Sequence, residues 1–301
     1  MTRALRALVG GLTMVLLVAG CGGGNQESSS QASCPDNGTV RMAVEPFDDT
    51  AIMTPVYQQL ASKLGRRLGC TVDLTITTNY TAEVEAMRAR KLELGEFGPL
   101  GYVLAHKLAD AQPLVTFGDA QHKKRVYYAS ITTWPGSGVT DLQQVKGKTF
   151  AYSDPASTSG HLFPAYALKK AGIDPDHGIQ ATYAGTHTAS FEALRNHKVA
   201  AGELNSQTIA SATRTGEYQA SDFTTLWRSG PILQDPIAVR GDLPSGFQAK
   251  LKRALQGLDL SSISDPKSLL GGPTLVPASD GEYKNVRDLV SVLNIDLSKL
   301  G

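Results

Sequence analysis

From residue 40 onward, short β-prone runs alternate with longer runs of helical period, and this alternation restricts the chain to an α/β fold built on parallel sheets. Residues 40–44 (VRMAV) read as the first strand. A helix is expected over 55–68, because Val56, Leu60, Leu64 and Leu68 recur on one face, with Thr54 as its cap and Pro55 in its first turn. Lys63, Arg66 and Arg67 suit the negative end of that helix's dipole, and Gly69 closes it. Strands follow at 74–77, 113–117 and 126–132, and helices at 81–90 and 102–110, the latter after a Gly98-Pro99-Leu100-Gly101 turn. The second half repeats the theme, with strands expected at 149–152, 180–183, 200–204, 223–229 and 236–239. Between them come a short helix at 142–145 and helices at 159–171, 188–196 and 207–213. Helices at 245–258 and 283–293 end the chain, and no internal repeat is detectable.

The first 33 residues stand outside that fold. Two arginines and no acid precede an apolar stretch over 7–19, which is shorter than the roughly 20 residues a spanning helix needs and fits a cleaved signal peptide over 1–20. Leu17, Val18, Ala19, Gly20 and Cys21 resemble the lipobox of bacterial lipoproteins, in which the cysteine is acylated and becomes the new N-terminus. Small residues at Ala19 and Gly20 let a peptidase take the backbone in extended form. The glycine, serine and polar residues after Cys21 make 21–35 a flexible tether. The expected location is the extracytoplasmic face of the cell membrane, held there by a lipid on Cys21.

In an exported chain the remaining cysteines, Cys34 and Cys70, form an even pair and are expected to be bonded, since each precedes a probable strand and adjacent parallel strands would bring them together. A catalytic Cys70 thiol is the weaker reading, because no nucleophile signature surrounds it. With 29 basic and 28 acidic residues, the chain lacks the strong positive charge of a nucleic-acid binder. No second apolar segment approaches membrane length.

The segment richest in chemistry is Ala151 to Pro164, AYSDPASTSGHLFP. A strand ends near Asp154-Pro155 and a helix begins near Ser159-Gly160, with the hydroxyls of Ser157, Thr158 and Ser159 between them. A helix start offers unpaired backbone N–H groups and the positive end of a dipole, which together bind oxyanions. Hydroxyls add donors without charge, and Gly160 lets the backbone come close. The plainer alternative is that these residues only cap a helix, a task needing one hydroxyl.

Asp154 to Gly160, as DPxSTSG, resembles the signature of phosphonate-binding proteins of ABC importers, a group that includes binders of phosphite and phosphate-like solutes. The likeness extends over the mature chain. Tyr80 to Arg88 resembles the family's tyrosine-led helix, and Phe97-Gly98-Pro99-Leu100-Gly101-Tyr102 its aromatic–glycine turn. Gly185 to Ser190 resembles its glycine–histidine helix start, and Asp235-Pro236-Ile237 its strand returning through the hinge.

The resemblance implies an α/β, two-domain type II periplasmic-binding-protein fold with a hinge and an interdomain ligand cleft. Domain I would comprise 36–125 and 236–301 and domain II 126–235, with crossings near 126–132 and 234–239. It implies that Ser157, Thr158 and Ser159 hold the oxyanion, that Tyr80 donates its phenol from the other domain, and that His187 offers a ring N–H. Phe97 stands where some members have tyrosine. Gln207 stands where binders of an amino group carry a carboxylate, and a neutral amide pairs less strongly with ammonium. Asp235 remains as an anionic partner, and Glu203 is placed outside the pocket. The implied partners are a small phosphonate- or phosphite-like oxyanion and the permease and ATPase subunits of an importer. The protein itself is expected to be a monomer.

Two other classes compete with this reading. One is an ester hydrolase with Ser157 as nucleophile and His187 as base, although no G-x-S-x-G elbow surrounds Ser157. The other is a surface lipoprotein of the same fold with no part in transport. The six histidines show no H-x-x-x-H spacing, so no metal or other cofactor is expected.

Overall fold

The computed structural model describes residues 34–296, so the signal segment, Cys21 and most of the tether lie outside the described residues. The chain opens with β1 (Thr39–Val44), α1 (Thr50–Leu68), β2 (Thr71–Ile76), α2 (Tyr80–Arg88), β3 (Leu94–Glu96), α3 (Pro99–Ala109) and β4 (Gln112–Gly118). It crosses through β5 (Val126–Tyr127) into β6 (Ser130–Thr133), β7 (Thr149–Tyr152), α4 (Phe163–Lys170), β8 (Gln180–Tyr183), α5 (His187–Arg195), β9 (Ala201–Glu203), α6 (Ser206–Arg214) and β10 (Thr224–Arg228). It returns through β11 (Ile232–Leu233) to β12 (Pro236–Val239), α7 (Ser245–Gln256), β13 (Thr274–Pro277) and α8 (Lys284–Leu293).

Two sheets result, each the centre of one lobe. The first has strand order β13-β4-β12-β3-β1-β2 and the second β10-β6-β9-β7-β8, while β5 and β11 pair as a two-stranded crossing. The α/β class therefore stands, but the expectation of parallel sheets needs correction. β1 runs parallel to β2 and β3, and β7 parallel to β8 and β9. β12 is antiparallel to both β3 and β4, and β6 is antiparallel to β9. The physical cause is the double crossing, since a strand arriving from the other lobe enters its new sheet at the hinge edge, against the direction of the βα units already there.

Local signals account for the other differences. α1 begins at Thr50, not Pro55, because the Asp49 carboxylate accepts the Ala51 N–H at 2.8 Å and caps the helix a full turn upstream. Gly69 closes it in the left-handed region at φ 68°, its N–H bonded to Gly65 O. The run 126–132 splits into β5 and β6 because Tyr128 N–H donates to Ser206 Oγ and Ala129 N–H to Ser229 Oγ, at 3.0 and 2.9 Å, which interrupts the ladder. β13 carries Pro277 and is an edge strand, the position where a missing N–H is tolerated.

Strand alternation divides the first lobe's core. Met42 and Val44 face Tyr57, Leu60 and Leu64 of α1 and Leu251 of α7, while Ala43 faces Val84, Met87, Leu100 and Val286 of α2, α3 and α8. In the second lobe Phe150 and Tyr152 pack with Leu168 of α4, and Ala151 packs with Phe191 and Leu194 of α5. β1 and β2 pair with Thr39 opposite Thr71, and Cys34 and Cys70, upstream of these strands, are disulfide-bonded with Cα atoms 5.9 Å apart. Closing a loop of 36 residues in the unfolded chain contributes about 3–4 kcal/mol in the chain-entropy account. Among the described residues no helix is long and apolar enough to cross a membrane.

Candidate functional site

Parallel strands send the loops that leave them to one edge of a sheet, and in α/β folds that carboxyl edge is where ligands sit. Here the two edges face each other. Glu45, Phe47 and Asp48 come after β1, Tyr80 after β2 and Gly98 after β3, while Ser157–159, His187, Asn205 and Gln207 come after β7, β8 and β9. Asp235 precedes the antiparallel β12 and so lies at the same edge, and Tyr127 comes from the crossing strand β5. All of these residues line one cavity of about 40 Å³, room for about three waters. Seven of the eight ligand residues expected from sequence line it. Phe97 does not: fully buried, it packs its ring beneath Gly95. Tyr127 brings to the cavity a hydroxyl of the kind that Phe97 lacks.

The hydroxyl turn owes its shape to Asp154 and Pro164. The Asp154 carboxylate accepts the Ala156 N–H at 2.8 Å, and the Asp154 carbonyl accepts the Ser157 N–H at 2.9 Å. The helix expected from Ser159 starts instead as a π turn over Thr158–Leu162, with Leu162 N–H on Ser157 O, before α4 takes over at Phe163. Pro164 has no N–H to give the Gly160 carbonyl four residues back. That carbonyl accepts the Ser153 N–H instead, at 3.2 Å, which draws the turn onto the end of β7.

Each hydroxyl of the turn already accepts a hydrogen bond from the protein. Gly160 N–H donates to Ser157 Oγ at 3.1 Å, Leu100 N–H to Thr158 Oγ1 at 2.8 Å, and Asn205 Nδ2 to Ser159 Oγ at 3.2 Å. With one lone pair of each engaged, every O–H is still able to donate, the polarity an anion requires. The Leu100 bond crosses between the lobes, as does His187 N–H to Phe47 O at 3.1 Å, so the lobes are closed on each other. Asn205, Glu45 and Tyr127 were not anticipated as site residues. Asn205 had a local signal, as the cap of α6 whose Oδ1 accepts the Gln207 and Thr208 N–H groups.

His187 stands at the start of α5 behind its cap Thr186. Its Nε2 lies 3.3 Å from Ser157 Oγ and its Nδ1 2.9 Å from Glu203 Oε1, so Glu203, outside the cavity, buttresses the ring from behind. Burial alone would lower the imidazole pKa, but the carboxylates of Glu203, Asp235 and Asp154 outweigh it and raise it above the ordinary value. The ring is therefore held toward its cationic, doubly donating form. Ser157, His187 and Glu203 form a chain like that of a serine hydrolase, but a ring held toward its protonated form is a poorer general base. The site's carboxyls are pushed the other way: burial lifts Asp235 to about 7 and, with the charges of Asp235 and Glu83, lifts Glu45 well above the carboxylate range. Tyr80 is raised by burial and its phenol oxygen has no protein partner.

The family model for the ABC transporter phosphonate periplasmic substrate-binding protein matches residues 42–283. The probable ABC transporter phosphite binding protein PhnD1 of Prochlorococcus marinus (strain MIT 9301) is 24% identical over 266 residues, covering 85% of this chain and 90% of its own. The phosphate-import protein PhnD of Mycolicibacterium smegmatis is 24% identical, with 95% of each chain covered. Among solved structures, PhnD1 from Prochlorococcus marinus in complex with methylphosphonate superposes with a TM-score of 0.75 at 22% identity, covering 86% of this chain and 99% of that one, a likeness of fold. The first of these relatives is named as a binding protein of an ABC transporter and the second as an import protein. The chain belongs to the family of phosphonate-type periplasmic substrate-binding proteins of ABC transporters.

Proposed function

We propose that this protein captures a compact phosphorus oxyanion of the phosphonate or phosphite class and delivers it to the permease and ATPase of an importer. The observation that carries the reading is the meeting, in one cavity between the lobes, of three hydroxyls able to donate, the ring of His187 held toward its protonated form and the phenol of Tyr80, which has no partner among the described residues. Tyr80 and the turn belong to different lobes, so only the closed form makes both sets of contacts and ligand binding shifts the population toward it. Domain boundaries at 36–125 with 236–301 and at 126–235, moving about β5 and β11, fit this use. The cavity volume and the neutral amide of Gln207 favour phosphite, phosphate or methylphosphonate over 2-aminoethylphosphonate.

Calorimetry against phosphite, methylphosphonate, phosphate, 2-aminoethylphosphonate and sulfate tests the proposal. At least one of the first three is expected to bind with a Kd of about a micromolar or tighter, and Ser159→Ala is expected to weaken it roughly tenfold to a hundredfold, the value of one hydrogen bond to a charged ligand. Binding by none of them, or an unchanged Ser159→Ala, would remove the assignment. The anchor at Cys21 is part of the same proposal. Cys21→Ser is expected to release the protein from the membrane fraction, and continued membrane retention would argue against lipidation there.

A further inference from the structure

Glu45 comes directly after β1, is 5% exposed, and lines the cavity. A Cβ on Gly98 would lie 2.8 Å from its Oε1, and one on Gly101 3.4 Å from its Oε2, so the carboxyl is pressed against the first turn of α3. Its Oε2 is buried without a hydrogen-bond partner. Burial opposes its charged form most and the surrounding ionisable groups add to that, while the Gly98 amide favours it. Asp235 before β12, Glu83 of α2 and Asp154 of the hydroxyl turn all act on it as like charges, and the phenols of Tyr80 and Tyr127 feel it as a neighbour. Asp48 lines the same cavity, and among the described residues that line it His187 is the one basic side chain.

An anion entering such a place meets an oxygen of the Glu45 carboxyl. If that oxygen is ionised, the contact is repulsive; with one proton between the two, it becomes a charge-assisted hydrogen bond. We propose that Glu45 is a ligand-binding residue and that the oxyanion is captured together with one proton, held between the Glu45 carboxyl and a ligand oxygen. This rests on the phosphorus-oxyanion reading above and adds to it the residue and the ionic form. Whether the proton arrives on the ligand as P–OH or is already on Glu45 makes no difference to the complex, which contains one proton either way. Such a contact holds at low pH and is lost as the pH rises and that proton is withdrawn.

The test is the pH dependence of methylphosphonate affinity in wild type and in Glu45→Gln, across the alkaline range in which the ligand is a dianion. A glutamine amide donates without titrating and keeps the shape of the side chain. Glu45 and Asp235 act on each other, so the same pair is also compared in an Asp235→Asn background, where the difference isolates Glu45. Above the titration of Glu45, wild type is expected to lose about tenfold more affinity per pH unit than Glu45→Gln, the signature of one proton. Equal slopes would overturn the proposal. Should Glu45→Gln fail to fold, the infrared difference spectrum of wild type on adding methylphosphonate decides: a perturbed protonated-carboxyl C=O band supports the proposal, and no change in that band overturns it. Wild type that binds methylphosphonate with no such signature refutes this inference alone. Wild type that binds neither methylphosphonate, phosphite nor phosphate at any pH refutes the capture reading and this inference with it.

Discussion

His187→Ala is expected to abolish methylphosphonate binding and to lower the unfolding free energy by about 3–5 kcal/mol, the cost of leaving a buried charge without its partner. The stranded group is Glu203, 1% exposed, whose Oε1 bonds His187 Nδ1 and whose Oε2 has no partner among the described residues. Adding Glu203→Gln to His187→Ala should restore most of the stability but none of the binding, which separates the two roles of the ring. The raised pKa of His187 sets the sign of the pH dependence. Its stabilisation is complete below the unfolded value of about 6.5 and is lost as the pH rises through the higher folded value. Denaturant titrations of wild type should therefore show a stability decline on the alkaline side that His187→Ala lacks. Equal decline in both proteins would mean that His187 is not the titrating group.

Gly160→Ala is expected to weaken methylphosphonate binding roughly 100-fold or more, through the loss of one or two charged hydrogen bonds, and to cost about 1–3 kcal/mol of stability from overpacking. The backbone at Gly160 is not in the left-handed region, so the restriction is one of space. An added Cβ would overlap Ser153 Oγ and lie 2.8 Å from Ser153 Cβ and 2.9 Å from His187 Cε1. Ser153 is fully buried and His187 is held by Glu203, so neither can give way, and the turn carrying Ser157–159 must move. Gly281→Ala, where a Cβ meets nothing within 4 Å, is the control and should leave melting and binding unchanged. A Gly160→Ala protein with wild-type affinity would show that the turn is not the anion's cradle.

Much of this was legible because the signals are local. The four-residue recurrence of Val56, Leu60, Leu64 and Leu68 is a property of one helix face, and all four are buried against β1 and its neighbours. The hydroxyl run 157–159 announces a helix start, since capping and anion binding both use the same unpaired N–H groups. Pro55 misled because proline is tolerated in a first turn, whereas the Asp49 cap, which outbids it, looks like any loop aspartate. Pro164 held the cue to the π turn, but its effect depends on where the Gly160 carbonyl finds another donor, and that donor is Ser153 on β7.

The alternation of elements, the α/β class and the exported character of the chain were determined by sequence, which also singled out the hydroxyl turn that lines the cavity. Each of these depends on residues near one another along the chain. Strand direction depended on tertiary structure, because it is settled by which lobe a strand arrives from. So did the exclusion of Phe97, the arrival of Tyr127, and the backing of His187 by Glu203. Above all, tertiary structure decided the meaning of Glu45, an ordinary acid in a loop until three other carboxyls and an empty-handed oxygen are brought around it. Electrostatics and burial act through space, and the groups that set the charge of this site lie as far apart in the chain as Glu45 and Asp235.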